Sequence, residues 1–197
     1  MTLNQTIFLF IHHFAGRNAF ADWVGIFFAE YLAYFLVAAF LVLAYYQSGW
    51  RRKIYLFCEG AIAIMLSRGI VTEVIRFFYH HQRPFSFYDF VPLIAEQGWS
   101  FPSGHMAWFF AMSLTVWYVN RTWGWWFFGL STVMGVARVY VGVHWPLDIV
   151  GGMAVGLACA WFVHWLLKST REALYRAHGP NDEKRMPDPA PLSARGA

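Results

Sequence analysis

Arg76-Phe77-Phe78-Tyr79-His80-His81-Gln82-Arg83-Pro84, then Pro102-Ser103-Gly104-His105, then Arg138-Val139-Tyr140-Val141-Gly142-Val143-His144-Trp145-Pro146-Leu147-Asp148 are three polar clusters set in otherwise lipid-soluble sequence. Apolar segments long enough to cross a bilayer lie between and around them. Charged side chains at that depth are costly, and where they occur they face the protein interior and carry function. The three clusters therefore read as parts of one functional site at a membrane surface.

Composition agrees. Of 197 residues, 58% are hydrophobic and 21% aromatic, and only 13% are charged, against about one quarter in soluble domains. The apolar residues fall into separate runs of about twenty, which predicts an all-α, polytopic membrane bundle rather than one anchor on a soluble domain. The net charge of +4 does not point to nucleic acid, because the basic residues sit in turns and in the tail, where they set orientation. Cys58 and Cys159 are far apart in apolar runs and read as packing residues, not a disulfide or a CxxC pair.

In chain order, residues 1–16 hold an apolar run too short to span about 30 Å of hydrocarbon, and are expected to form an interfacial helix. They lack the basic start and cleavage site of a secretory signal. Spanning helices are expected over 22–47, 54–79, 103–119, 123–141 and 146–167, about five in all. A basic loop over 48–53, a polar loop over 80–101, a turn at 120–122 and a short link at 142–145 join them. Residues 1–176 form one membrane-embedded domain. The tail, 177–197, is rich in Pro, Gly, Ala and charge, and is expected to be disordered.

Arg51, Arg52, Lys53, Arg121, Lys168, Arg171 and Arg176 fall on one side of this layout, so that side is expected to be cytoplasmic. The three clusters then meet on the extracytoplasmic side. Arg76 ends the second helix, Ser103 begins the third, Arg138 ends the fourth and His144 precedes the fifth.

The residue types suit an oxyanion. Ser103 and Gly104 stand at a helix start, where free backbone N–H groups and the positive end of the helix dipole meet. Ser103 is free to cap the helix or to donate to a phosphoryl oxygen, and Gly104 allows close backbone approach. Asp148, four residues after His144, can hold one imidazole nitrogen and leave the other to attack or to take a proton. Arg76, Arg83 and Arg138 add guanidinium groups that match phosphate oxygens. Each has a plainer reading, as an N-cap, a first-turn charge or a snorkelling arginine; the joint occurrence of all of them is what argues for a site.

These clusters resemble the three-part signature of the type 2 phosphatidate phosphatase superfamily, which also holds the vanadium haloperoxidases. Its pattern is Lys, six residues, Arg-Pro; Pro-Ser-Gly-His; and Ser-Arg, five residues, His, three residues, Asp. The spacings here fit, with Arg76 in place of the Lys and Ala137 in place of the Ser. Small size, a short interfacial N-terminus and an outward site make the chain most similar to the bacterial undecaprenyl-diphosphatases within that superfamily. The resemblance implies that His144 is the nucleophile, Asp148 its orienting carboxylate and His105 the proton donor to the leaving oxygen. It implies that Arg76, Arg83 with Pro84, Ser103, Gly104 and Arg138 hold the phosphoryl group. It implies no cofactor or metal, a lipid diphosphate as substrate, and a bacterial inner membrane location.

The sequence also admits other readings. The same chemistry suits phosphatidylglycerophosphate, phosphatidate or a lipid A phosphate. A metal hydrolase would draw on His80, His81, His105, His144 and Asp89 or Asp148, and a lipid-phosphate binder or transporter would use the arginines alone. His80 and His81 read as headgroup-level loop residues. Glu73 is placed one turn from Arg76 to pair with it. Arg68 and Glu30 need partners, with each other, Glu59 and Glu73 as candidates.

Overall fold

The computed structural model describes residues 1–176, and the tail expected over 177–197 lies outside the described residues. Among the described residues every regular element is a helix. We number them α1 (Leu3–His12), α2 (Ala19–Tyr45), α3 (Trp50–Phe78), α4 (Pro84–Tyr88), α5 (Gly104–Val119), α6 (Arg121–Tyr140), α7 (Pro146–Leu166) and α8 (Lys168–Arg176). Three of them, α2, α3 and α7, are long and apolar enough to cross a membrane.

Local chemistry explains where the boundaries depart from expectation. Helix α2 starts at Ala19 rather than residue 22 because Asn18 Oδ1 accepts from the N–H groups of Phe20 and Ala21 at 2.9 and 3.2 Å, the usual N-cap bond. Helix α3 starts at Trp50, directly after Gly49 turns the chain at φ +82°, so the basic residues 51–53 occupy its first turn. Helix α6 starts at Arg121, capped by Asn120 Oδ1. The expected polar loop over 80–101 contains the short helix α4, with Pro84 in its first turn, where a missing N–H costs nothing. Helix α8 was not expected, and neither were two π-helical turns, Phe27–Tyr31 in α2 and Met65–Val71 in α3.

Helix α5 is the centre of the bundle. It buries residues on every side, Met106, Phe109, Phe110 and Met112 among them, which is why its sequence shows no polar face. It packs most closely on α7. A Cβ at Gly152 would strike the Ser103 carbonyl and stand 2.7 Å from Met106 Cβ, and one at Gly156 would stand 2.9 Å from the Ala111 nitrogen. The two backbones thus meet directly, as small residues permit between membrane helices. Glu59 of α3 and His164 of α7, 2.6 Å apart, tie the opposite end of the bundle, with His164 stacked on Tyr118.

Helix α1, about 15 Å long at 1.5 Å per residue, lies across the ends of α6 and α7. Its Phe8 is fully buried against Tyr88, Phe90 and Trp145. Asn4 Oδ1 accepts from the Leu147 N–H at 3.0 Å, and His12 Nδ1 donates to the Tyr140 carbonyl at 2.8 Å. The C-terminal end of α6 and the N-terminal end of α7 lie beneath it.

Because α5 and α7 are in backbone contact, Gly156→Leu is expected to lower stability by about 1–3 kcal/mol through overpacking. Gly129→Leu, which meets nothing within 4 Å, is expected to leave it nearly unaltered. Thermal unfolding of the two variants in detergent checks the difference.

Candidate active site

Asp148 stands in the first turn of α7 with no exposed surface. A bare carboxylate there would be very costly, so its oxygens are answered by donors. One oxygen accepts from the Trp145 N–H at 2.8 Å and from the Ser100 hydroxyl. The other stands 3.2 Å from His81 Nδ1. The Asp148 backbone carbonyl accepts from the Ser103 N–H at 3.0 Å, which fixes the start of α5 against the start of α7.

His144 lies in the link before α7, 1% exposed. Its Nδ1 is 3.4 Å from Asp148 Oδ2, within ion-pair range but not aligned as a hydrogen bond. Burial, with Arg138 and Arg83 nearby, pushes the imidazole pKa down to about 4 against the pull of Asp148. At neutral pH His144 is therefore an uncharged base.

Ser103 precedes α5 and is fully buried, but its hydroxyl makes no cap bond and has no hydrogen-bond partner among the described residues. That departs from a plain N-cap. The side chain packed against Gly104 is Arg68, whose Cδ and guanidinium leave no space for a Cβ. His105, one residue on, faces the charges of Arg138, Arg68 and Arg83.

The three signature arginines reach the same end of the bundle. Arg76 Nη2 donates to the Pro102 carbonyl at 3.1 Å and Nη1 pairs with Glu73 at 3.3 Å, while its Nε is buried without a partner. Arg83, just before α4, donates from Nε to the Gly98 carbonyl at 2.9 Å, from Nη1 to Val143 at 2.9 Å and from Nη2 to Gln97 at 3.0 Å. Burial lowers its pKa to about 10, so it stays charged. Pro84 beside it is buried. Arg138, 1% exposed, donates to the Ala29 carbonyl at 3.1 Å and is ion-paired to Glu96; its Nε is buried and free. Arg68 pairs with Glu73, and Glu59 with His164.

Glu96 is the residue that sequence reasoning passed over. It lies in the 89–103 segment, and its two oxygens face Arg138 and, at 3.7 Å, Arg83. Burial alone would raise its carboxyl pKa, but Arg138 and then Arg83 bring it below the ordinary value, so it is anionic. Three arginines gathered in an apolar bundle require a counterion, and that requirement was the available signal. His81 was also set aside, yet it bonds Asp148; its neighbour His80 stacks on Trp99 instead.

A cavity of about 610 Å³ opens beside this set, lined by Gly104, His105, Arg68, Arg138 and Glu30 and by the apolar Tyr34, Val37, Trp108 and Phe109. Val37 and Trp108 also line a second, apolar groove that includes Phe40, Phe57, Met65 and Met112.

The family model of the PAP2 superfamily matches residues 58–172. The chain belongs to the PAP2 superfamily. Undecaprenyl-diphosphatase BcrC of Bacillus subtilis (strain 168) is 29% identical over 162 residues, 79% of each chain. Putative undecaprenyl-diphosphatase YbjG of Escherichia coli (strain K12) is 31% identical over 159 residues, 79% of this chain and 78% of its own length. The crystal structure of LpxE from Aquifex aeolicus has the same fold, with a TM-score of 0.68 at 24% identity over 83% of this chain and 95% of that one.

Within this PAP2 site, Ala137 stands where the superfamily signature has Ser, and it packs in an apolar cluster with Ala29, Val141 and Val143. No group of three or more His, Cys, Asp or Glu among the described residues is arranged to hold a metal ion.

A titration of His144, followed by histidine-selective NMR with His144→Gln as the assignment control, is expected to show a midpoint near pH 4 rather than about 6.5. The unfolded chain then takes up this proton first. The His144 contribution to stability is full above pH 6.5, falls as pH drops toward 4 and is level below it.

Proposed function

We propose that this membrane PAP2 phosphatase removes the terminal phosphate of undecaprenyl diphosphate, giving undecaprenyl phosphate and inorganic phosphate. The observation that carries the reading is the meeting of a neutral, buried His144 with Asp148 on one side and three arginines, the free Ser103 hydroxyl and His105 around it. The names of the relatives support the lipid.

On this reading the neutral His144 uses its Nε2 lone pair to attack the terminal phosphorus. The bond to the bridging oxygen breaks, and His105 gives its proton to that oxygen. Asp148 offsets the positive charge that the phosphorylated imidazole acquires. Water then loses a proton to His105, its oxygen bonds phosphorus, and the P–N bond breaks to restore His144. Arg76, Arg83, Arg138, Ser103 and the Gly104 N–H hold the non-bridging oxygens, which is the main source of rate enhancement in phosphoryl transfer. No step calls on a metal.

The same reading completes the topology. Helices α5 and α6 join α2, α3 and α7 as five spans, and α1 rests in the interface. Arg51, Arg52, Lys53, Arg121 and Lys168 mark the cytoplasmic side, and the site faces the extracytoplasmic side. A lipid whose tail stays in the bilayer then presents its diphosphate to the arginines, with the tail along the groove of Val37, Phe40, Phe57 and Trp108.

Phosphate release from undecaprenyl diphosphate by detergent-purified protein is expected to persist in excess chelator and to vanish in His144→Ala. Arg138→Ala is expected to lose about 10²–10³-fold in kcat, the scale for removing one preorganised charge donor. Loss of activity with chelator would refute the mechanism. Cleavage of phosphatidylglycerophosphate, phosphatidate or a lipid A phosphate in preference to the diphosphate would refute the substrate.

A further inference from the structure

Arg68 is a charged residue that the superfamily signature does not use. It lies in the π-helical turn Met65–Val71 of α3, and such turns commonly mark functional positions. Its backbone is eight residues before Arg76, about 12 Å deeper along the helix. The side chain nevertheless reaches Gly104, at the start of α5, and lines the same cavity as His105 and Arg138. Arg68 also ranks among the charges felt most by His105 and by Arg76. Arg138, itself almost wholly buried, brings an unpartnered Nε to this region.

The position has a chemical meaning that rests on the reaction proposed above. In phosphoryl transfer the attacking and leaving atoms stand on opposite sides of phosphorus. If His144 attacks and His105 protonates the leaving oxygen, the leaving group departs on the His105 side, into the cavity where Arg68 lies. A phosphate monoester releases a neutral alcohol, for which a guanidinium at membrane depth offers little. A diphosphate releases a second phosphate, which a guanidinium matches in a bidentate way. The remaining walls, Tyr34, Val37, Trp108 and Phe109, suit the hydrocarbon attached to that phosphate.

We infer that Arg68 and the adjoining cavity wall form a second phosphate subsite, which holds the phosphate retained by the lipid and selects diphosphates over monophosphates. The bond that breaks joins the terminal phosphorus to the bridging oxygen. That oxygen stays with the lipid, and Arg68 faces the negative charge that develops there, so the residue acts on the leaving group and not on the transferred one.

The test compares kcat/KM for farnesyl diphosphate and farnesyl monophosphate, which share one tail, in wild type, Arg68→Gln and Arg68→Lys. Loss of a charged hydrogen-bonding partner is worth roughly tenfold or more. Arg68→Gln is expected to lower the diphosphate-to-monophosphate ratio by at least that factor, and Arg68→Lys, which keeps the charge but not the fork, by less. Equal losses on both substrates would overturn the inference, since Arg68 would then only support the shared site through Glu73. An unaltered ratio in both variants would overturn it as well. A wild type that cleaves the monophosphate and not the diphosphate would refute the substrate reading first, and the subsite with it. If Arg68→Gln does not yield folded protein, the ratio in Arg68→Lys decides, because loss of the bidentate fork must lower it.

Discussion

A carboxylate buried in the first turn of a membrane helix is stable only if the chain around it supplies donors from several directions, and Asp148 is held in that way. The link before α7 gives the Trp145 N–H, the segment before α5 gives the Ser100 hydroxyl, and the link between α3 and α4 gives the His81 imidazole. The Asp148 carbonyl takes the Ser103 N–H. Satisfying one charge therefore fixes the second and third clusters of the sequence against each other. The glycine seam between α5 and α7 makes the approach possible, and α1 closes the top by bonding the Leu147 N–H.

Much of this was legible in the sequence, for identifiable reasons. Long apolar runs and polar junctions announce helices and their ends regardless of tertiary context, so the order of the helices and the gathering of Arg76, Ser103, Arg138 and His144 at one end could be read directly. The short helix after Pro84 and the exact starts at Ala19 and Trp50 turn on single caps and a glycine with positive φ, which pattern reading resolves poorly. The π-helical turns in α2 and α3 leave no periodic trace, and they decide where Glu30 and Arg68 stand.

The residues that sequence reading missed share one property: their roles depend on partners remote in the chain. Glu96 matters because Arg138 is 42 residues away, and His81 because Asp148 is 67 away. Neither lies within a helix turn of its partner, so no local spacing reveals it. Arg68 with Glu73 and Arg76 with Glu73 are local pairs on one helix, and those were within reach.

Glu96 has a consequence for turnover. It is a carboxylate tethered beside the guanidinium groups of Arg138 and Arg83, and a tethered group competes at an effective concentration of the order of millimolar or above. A free anion must outcompete it to stay. On the reaction proposed above, inorganic phosphate, small and without a hydrocarbon anchor, meets that competitor held only by the polar groups of the site, whereas a lipid-borne anion also has its tail in the bilayer. On that proposed reaction, the segment bearing Glu96 favours clearance of the small product and lets the membrane-bound ligand return.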